Sequence, residues 1–143
     1  MTRLLLTHIC ACFFMTGVIW VIQLIHYPAF SLVKQNEFQN FQRDHTKKIA
    51  FIVVPMMVIE FLTGAALIFW PPALSLTNLI WQLNVLLILA IWGATFFVSV
   101  PLHEALGKGQ DHDTVLRLVK TNWFRTGLWT LRAAAFLTII ISN

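Results

Sequence analysis

The sequence predicts an all-α fold, a polytopic membrane four-helix bundle with up-down-up-down topology, and three observations carry that prediction. Of 143 residues 58% are hydrophobic and 11% charged, where a soluble domain carries about a quarter charged residues. Apolar runs recur at Leu4–Ile25, Ile49–Trp70, Leu79–Val100 and Gly127–Ile141, and most come close to the roughly 20 residues that cross about 30 Å of hydrocarbon. The ionisable side chains, finally, gather toward one face of the bilayer. The chain reads as a single membrane domain, 1–143, with segments at about 4–27, 45–70, 79–106 and 114–142.

The first run competes with a cleaved leader, because Met1-Thr2-Arg3 resembles a short basic start and Ile9-Cys10-Ala11-Cys12 a lipoprotein cleavage box. The apolar stretch before Cys12 is too short for that, and the run continues to Ile25, so it is read as helix 1. Cys10 and Cys12 lie two apart on that helix, where side chains diverge and cannot bridge; both are expected to be buried, inert thiols. Asn36 is placed to cap a helix that runs through His45 into the second segment, and Asp113 one that runs through Arg117 into the fourth. Helices 2 and 4 are therefore expected to extend on the cytoplasmic side. The short uncharged stretch from Pro71 to Asn78 predicts an antiparallel hairpin of helices 2 and 3. The fourth run is short, and Lys120 and Arg125 extend it by snorkelling. Pro28, Pro55 and Pro101 each remove a backbone donor and predict local kinks. His26-Tyr27-Pro28 and Pro101-Leu102-His103 stand at corresponding places in the two halves, as a parallel two-hairpin repeat would have them.

A net charge of +4 does not indicate nucleic acid, because the basic residues form no soluble face interleaved with aromatics. They mark topology. Lys34, Arg43, Lys47 and Lys48 fall around the first connection and Lys108, Arg117, Lys120 and Arg125 around the third, while the opposite side carries Arg3 and the amino terminus. The positive-inside bias then predicts a multi-pass protein of a bacterial inner (plasma) membrane, with loops one and three cytoplasmic and both termini outside.

Polar side chains are costly in lipid, so their angular positions mark the face that looks into the bundle. At spacings of three and four, helix 1 offers Thr16, Trp20, Gln23 and Tyr27 with His26 beside them. Helix 2 offers Phe41, His45, Met56, Glu60 and Thr63; helix 3, Trp92, Thr95, Ser99 and His103; helix 4, Asn122, Arg125, Trp129 and Arg132. These stripes are expected to line one polar cavity open to the cytoplasmic side. Glu60 and Arg132 lie at equal depth, counted from Trp70 and Ser142, which predicts a buried ion pair between helices 2 and 4 that either fixes register or takes part in chemistry. Arg125, Trp129 and Arg132 share a helical face, so an indole can stack on a guanidinium while other donors meet an anionic or carbonyl-bearing ligand; Arg125 could equally hold a lipid phosphate.

His26, His45 and His103 arrive from three helices at similar depth, as a three-imidazole metal site or an axial pair for haem would require, or as interfacial histidines bonded to backbone or lipid. Glu104 points to another side of helix 3, and His8 and His112 fall outside this group. No phosphate-binding glycine loop, Cys-x-x-Cys pair, His-Glu-x-x-His helix or nucleophile elbow is present in the sequence.

The stretch Val98-Ser99-Val100-Pro101-Leu102-His103, followed by Asn122-Trp123-Phe124-Arg125-Thr126 and Trp129-Thr130-Leu131-Arg132, resembles the C-terminal half of small four-helix membrane proteins grouped with anthrone oxygenases. His103 departs from the Asn usual in that group. The segment from His26-Tyr27-Pro28-Ala29-Phe30 through His45 and Glu60 resembles an uncharacterised bacterial subgroup of it. The resemblance implies a four-helix bundle and oxidation of a hydrophobic aromatic substrate without an organic cofactor, and it matches the group's pattern at Pro101, Asn122, Arg125 and Thr126.

The expectation for function is thus a small membrane-embedded redox enzyme, oxygenase-like, acting on a hydrophobic small molecule. His26, His103, Glu60 and Arg132 are its candidate catalytic residues, Gln23, Tyr27, Asn122, Arg125 and Trp129 its candidate substrate-binding residues, and His26, His45 and His103 its candidate metal ligands. The alternatives are a haem-, metal-, lipid- or quinone-binding subunit, and a small proton- or ion-coupled transporter, for which the sparse polar residues of the outer half (Thr16, Gln82, Asn84) give little path. Membrane lipids are expected partners, with a homodimer to enclose more space if transport is the function.

Overall fold

The computed structural model describes residues 2–72 and 78–142. It is an all-α four-helix bundle with α1 at Arg3–Leu32, α2 at Gln35–Phe69, α3 at Leu79–Gly107 and α4 at His112–Ile141, each long and apolar enough to span a membrane. At 1.5 Å per residue these helices are about 44 to 53 Å long, well beyond the roughly 30 Å of a hydrocarbon core. Helices α2 and α4 start early, as expected, and α1 also runs on past Ile25 to Leu32. Most of the expected hairpin turn at Pro71–Asn78 lies outside the described residues.

Two expected caps are corrected. Helix α2 begins at Gln35 after an extended Lys34 with no side-chain cap, and Asn36 is already inside it. Helix α4 is capped by Asp111 rather than Asp113, because the Thr114 N–H and hydroxyl both donate to Asp111 Oδ2, the N–H at 2.9 Å. That Asp-x-x-Thr spacing brings the amide three residues on back to the cap carboxylate. Those hydrogen bonds, the hydroxyl's first, hold the Asp111 carboxyl below its usual range.

Neighbouring helices are antiparallel, and the long-range hydrogen bonds fix the sense. His8 near the start of α1 meets Thr63 late in α2, Asn84 early in α3 and Arg132 late in α4. At the other end, which carries the charged connections, His26 meets His45 and Tyr27 meets His103. Helix α1 borders α2 and α4, and α3 borders the same two, so the helices form a ring. Outward-facing Phe14, Leu24, Ile25, Phe51, Phe97 and Leu131 are exposed, an apolar belt suited to lipid rather than water.

Two of the prolines reshape their helices. Residues Ile22–His26 in α1 and Thr95–Ser99 in α3 form π-helical turns, each ending two residues before a proline, Pro28 or Pro101. Proline offers no N–H and crowds the carbonyl one turn back, so the preceding turn widens and the Tyr27 and Val100 N–H groups reach carbonyls five residues earlier. The matching π-turn and proline in α1 and α3 give the two halves the same local geometry. Pro55 lies within regular α-helix; between His45 and Met57 no residue of α2 is buried, so this stretch stands away from the bundle axis and opens clefts on both sides.

Candidate functional site

The inward polar residues form two clusters along the bundle axis, where the sequence predicts one cavity. In the half away from the charged connections, Arg132 Nη1 pairs with Glu60 Oε1 at 2.5 Å, with both side chains 1% exposed. Arg132 Nε donates to Asn84 Oδ1 at 3.0 Å, and Asn84 Nδ2 and His8 Nε2 lie 2.9 Å apart. His8 Nδ1 is 2.8 Å from Thr63 Oγ1, and the Trp129 indole donates to both Glu60 carboxylate oxygens at 3.3 and 3.1 Å. All four helices are tied here. Gly64 makes room for it: a Cβ at that position would stand 2.8 Å from Ile88 Cδ1 and 3.0 Å from His8 Cε1.

The second cluster lies toward the charged end. Gln23 and Asn122 lock α1 to α4: Asn122 Nδ2 donates to Gln23 Oε1 at 2.9 Å and Gln23 Nε2 to the Val119 carbonyl at 3.1 Å. Asn122 Oδ1 and Ser99 Oγ each accept from Arg125 Nη1 at 3.1 Å. Arg125 is 5% exposed and sits 5.4 Å over the Trp129 ring, which thereby bridges the two clusters. No carboxylate pairs with Arg125 among the described residues, and its Nε is buried without a partner. Beside it, the Tyr27 hydroxyl lies 3.0 Å from His103 Nε2, and Gln42 Nε2 lies 2.9 Å from His103 Nδ1. His26 Nε2 and His45 Nδ1 are 2.6 Å apart, in a nest of rings from Phe30, Phe38 and Phe41.

Two clefts flank this cluster where α2 stands off. One of about 570 Å³ between α2 and α3 is walled by Val53, Val54 and Val100 and reaches Tyr27, Ser99, His103 and Arg125, with Arg43, Lys47 and Glu104 also on its lining. Another of about 660 Å³ between α1 and α2 is walled by Phe13, Phe14 and Ile52 and reaches His26 and His45, with Asp44 and Lys48 beside them.

The structure thus joins Glu60 to Arg132 as the sequence predicts, but in a sealed cluster that lines neither cleft. Of the expected substrate contacts, Tyr27 and Arg125 face the α2–α3 cleft. Gln23, Asn122 and Trp129 line neither cleft; their polar atoms are spent on holding helices and Arg125 in place. The three imidazoles do converge, though without the geometry of a metal centre. Two nitrogens on one zinc at 2.0–2.1 Å stand about 3.3 Å apart, whereas those of His26 and His45 are at hydrogen-bond distance and both His103 nitrogens already face Tyr27 and Gln42. Among the described residues no group of three or more His, Cys, Asp or Glu is arranged to hold a metal. Ring centroids of His26 and His45 at 4.3 Å leave no room for a porphyrin between them.

Sequence reasoning missed His8 and Gln42 as members of these clusters. Both carried a signal: His8 continues the four-residue spacing through Cys12, Thr16 and Trp20, and Gln42 falls between Phe38 and His45. Cys12 is buried as expected, but Cys10 is exposed on the apolar outside of α1. Comparison of the chain with family models, with curated proteins and with solved structures found no match.

Proposed function

We propose that the protein is an oxygenase-like membrane enzyme for a hydrophobic, aromatic-type molecule whose ionised or strongly polar oxygen docks at Arg125 in the α2–α3 cleft. The observation that carries this reading is Arg125 itself, a guanidinium 5% exposed on the cleft wall with neutral acceptors and no carboxylate partner among the described residues. A buried charge without a counter-ion is costly, and an anionic oxygen in the adjoining cleft offsets that cost. The valine walls suit an apolar body, which a lateral cleft in a membrane bundle admits from the lipid. Tyr27 and His103, hydrogen-bonded to each other beside Arg125, would accept or return a proton at the docked oxygen. Redox chemistry is favoured by the resemblance of Val98–His103 and Asn122–Thr126 to the anthrone-oxygenase group. The charge distribution supports an orientation with both termini outside.

Mass spectrometry of small molecules that co-purify with the wild type and with Arg125→Gln tests this. The wild type should retain an aromatic molecule bearing an ionisable oxygen, the variant at least tenfold less, and incubation with dioxygen should turn a ring CH2 of the ligand into C=O, a gain of one oxygen and loss of two hydrogens, because the ligand itself supplies the two electrons and two protons that carry the second oxygen atom away as water. Equal retention by both proteins, or a retained ligand without a polar oxygen, would overturn the site.

A further inference from the structure

The two clefts are separated by a row of imidazoles, of which the site at Arg125 uses only His103. His26 and His45 line the α1–α2 cleft, and His103 lines the α2–α3 cleft. The first two share the 2.6 Å hydrogen bond, while His45 Nε2 is buried and has no partner among the described residues. The His45 and His103 ring centroids are 5.7 Å apart, a separation that one rotation of the His45 ring or one intervening water closes. From His103 the chain of hydrogen bonds continues to the Tyr27 hydroxyl at 3.0 Å. The groups facing His45 are His26 and Phe30 from α1, His103 from α3, and Phe41 and Asp44 from its own helix, and Arg125 of α4 faces His103. Asp44 and Lys48, ion-paired at 2.7 Å, sit on the lining of the α1–α2 cleft.

We infer that His26, His45 and His103 form a proton path from the α1–α2 cleft to the Tyr27–His103 pair, keeping that pair in exchange with water while an apolar ligand fills the α2–α3 cleft. The inference rests on the proposed function for the ligand that makes such a second route necessary, because an apolar body in the valine-walled cleft displaces the water that would otherwise reach His103 directly. A proton taken up at His26 Nδ1 releases the Nε2 proton of the same ring to His45 Nδ1. His45 in turn gives the proton on its Nε2 to His103 Nδ1, for which the Gln42 amide 2.9 Å from that nitrogen turns aside, and His103 passes its Nε2 proton to the Tyr27 oxygen, whose own proton goes to the docked oxygen or to water. One proton enters and one leaves, no electrons move, and the three rings end as the opposite neutral tautomers.

The path is tested without any ligand by blocking the α2–α3 cleft with Ala50→Phe and measuring water exchange of the His103 ring N–H by NMR on the full chain, labelled with ¹⁵N-histidine, in nanodiscs. Ala50 lines that cleft; where Ala50→Phe fails to fold, Val53→Phe replaces it. Ala50→Phe by itself should slow exchange less than threefold, because the second route remains, and His45→Phe by itself should do the same, because the cleft stays open. The two together should slow exchange more than tenfold. Exchange in the double variant at the rate of Ala50→Phe, or exchange stopped by Ala50→Phe by itself, would overturn the path. Since no ligand enters the measurement, a failure of the ligand reading and a failure of the path are read separately.

Discussion

Arg125 and Arg132 lie seven residues apart on one face of α4, both buried and both within reach of Trp129 or its partner Glu60, yet their environments are opposite. Arg132 has a carboxylate at 2.5 Å; Arg125 has a hydroxyl, an amide oxygen and an aromatic face. Removing one member of a buried pair strands the other charge, so Glu60→Gln and Arg132→Gln should each destabilise the protein by about 3–5 kcal/mol. Arg125→Gln removes a charge that lacks a counter-ion and should leave stability within about 1 kcal/mol of the wild type, or raise it, while removing ligand binding. Thermal unfolding in detergent checks the contrast, and equal losses for both arginines would refute the division into a structural and a binding charge. The Glu60–Arg132 pair was legible in the sequence because a full charge in lipid must find a partner at its own depth. His8 was harder to read, since a neutral imidazole near a helix end carries no comparable penalty, and what recruits it is the amide nitrogen of Asn84 and the hydroxyl of Thr63 on other helices.

At the scale of elements, the length and apolar character of all four helices follow from composition, but their rotation does not. Each π-turn adds a residue to the turn, and at about 100° per residue such an insertion re-aims every side chain beyond it. In α1 the turn falls just before Tyr27, and in α3 it falls just before the segment carrying His103. These side chains meet for that reason, and a strict three-four spacing would place them only roughly. The close approach of α2 and α3 depends in the same way on one small residue. Gly64→Ala should destabilise the bundle by about 1–3 kcal/mol, because the His8 ring, pinned by Thr63 and Asn84, has little room to yield. Ile88 Cδ1 is the end of a flexible side chain, so Ile88→Val added to Gly64→Ala should recover part of that loss in the same unfolding assay. No recovery would place the whole clash on His8.

For the molecule as a whole, the orientation in the membrane is testable because the charged connections and the termini sit at opposite ends. With Cys10 and Cys12 replaced by Ser, Thr2→Cys should react with a membrane-impermeant maleimide applied to spheroplasts, and Lys108→Cys should react only after permeabilisation; the reverse pattern would invert the topology. The sequence by itself determined that this is a membrane bundle of four helices, which end carries charge, and that Glu60 must pair with Arg132. Those conclusions rest on the free energy of moving apolar and charged groups between water and hydrocarbon, a property each segment has wherever its neighbours lie. Tertiary structure decided that the polar stripes separate into a sealed four-helix knot and an open imidazole cluster, and that Gln23 and Asn122 support Arg125 while Tyr27 and His103 face a cleft. Such assignments depend on helix rotation, on the π-turns and on the stretch of α2 around Pro55 that stands off the axis, and these emerge only when all four helices compete for the same interior.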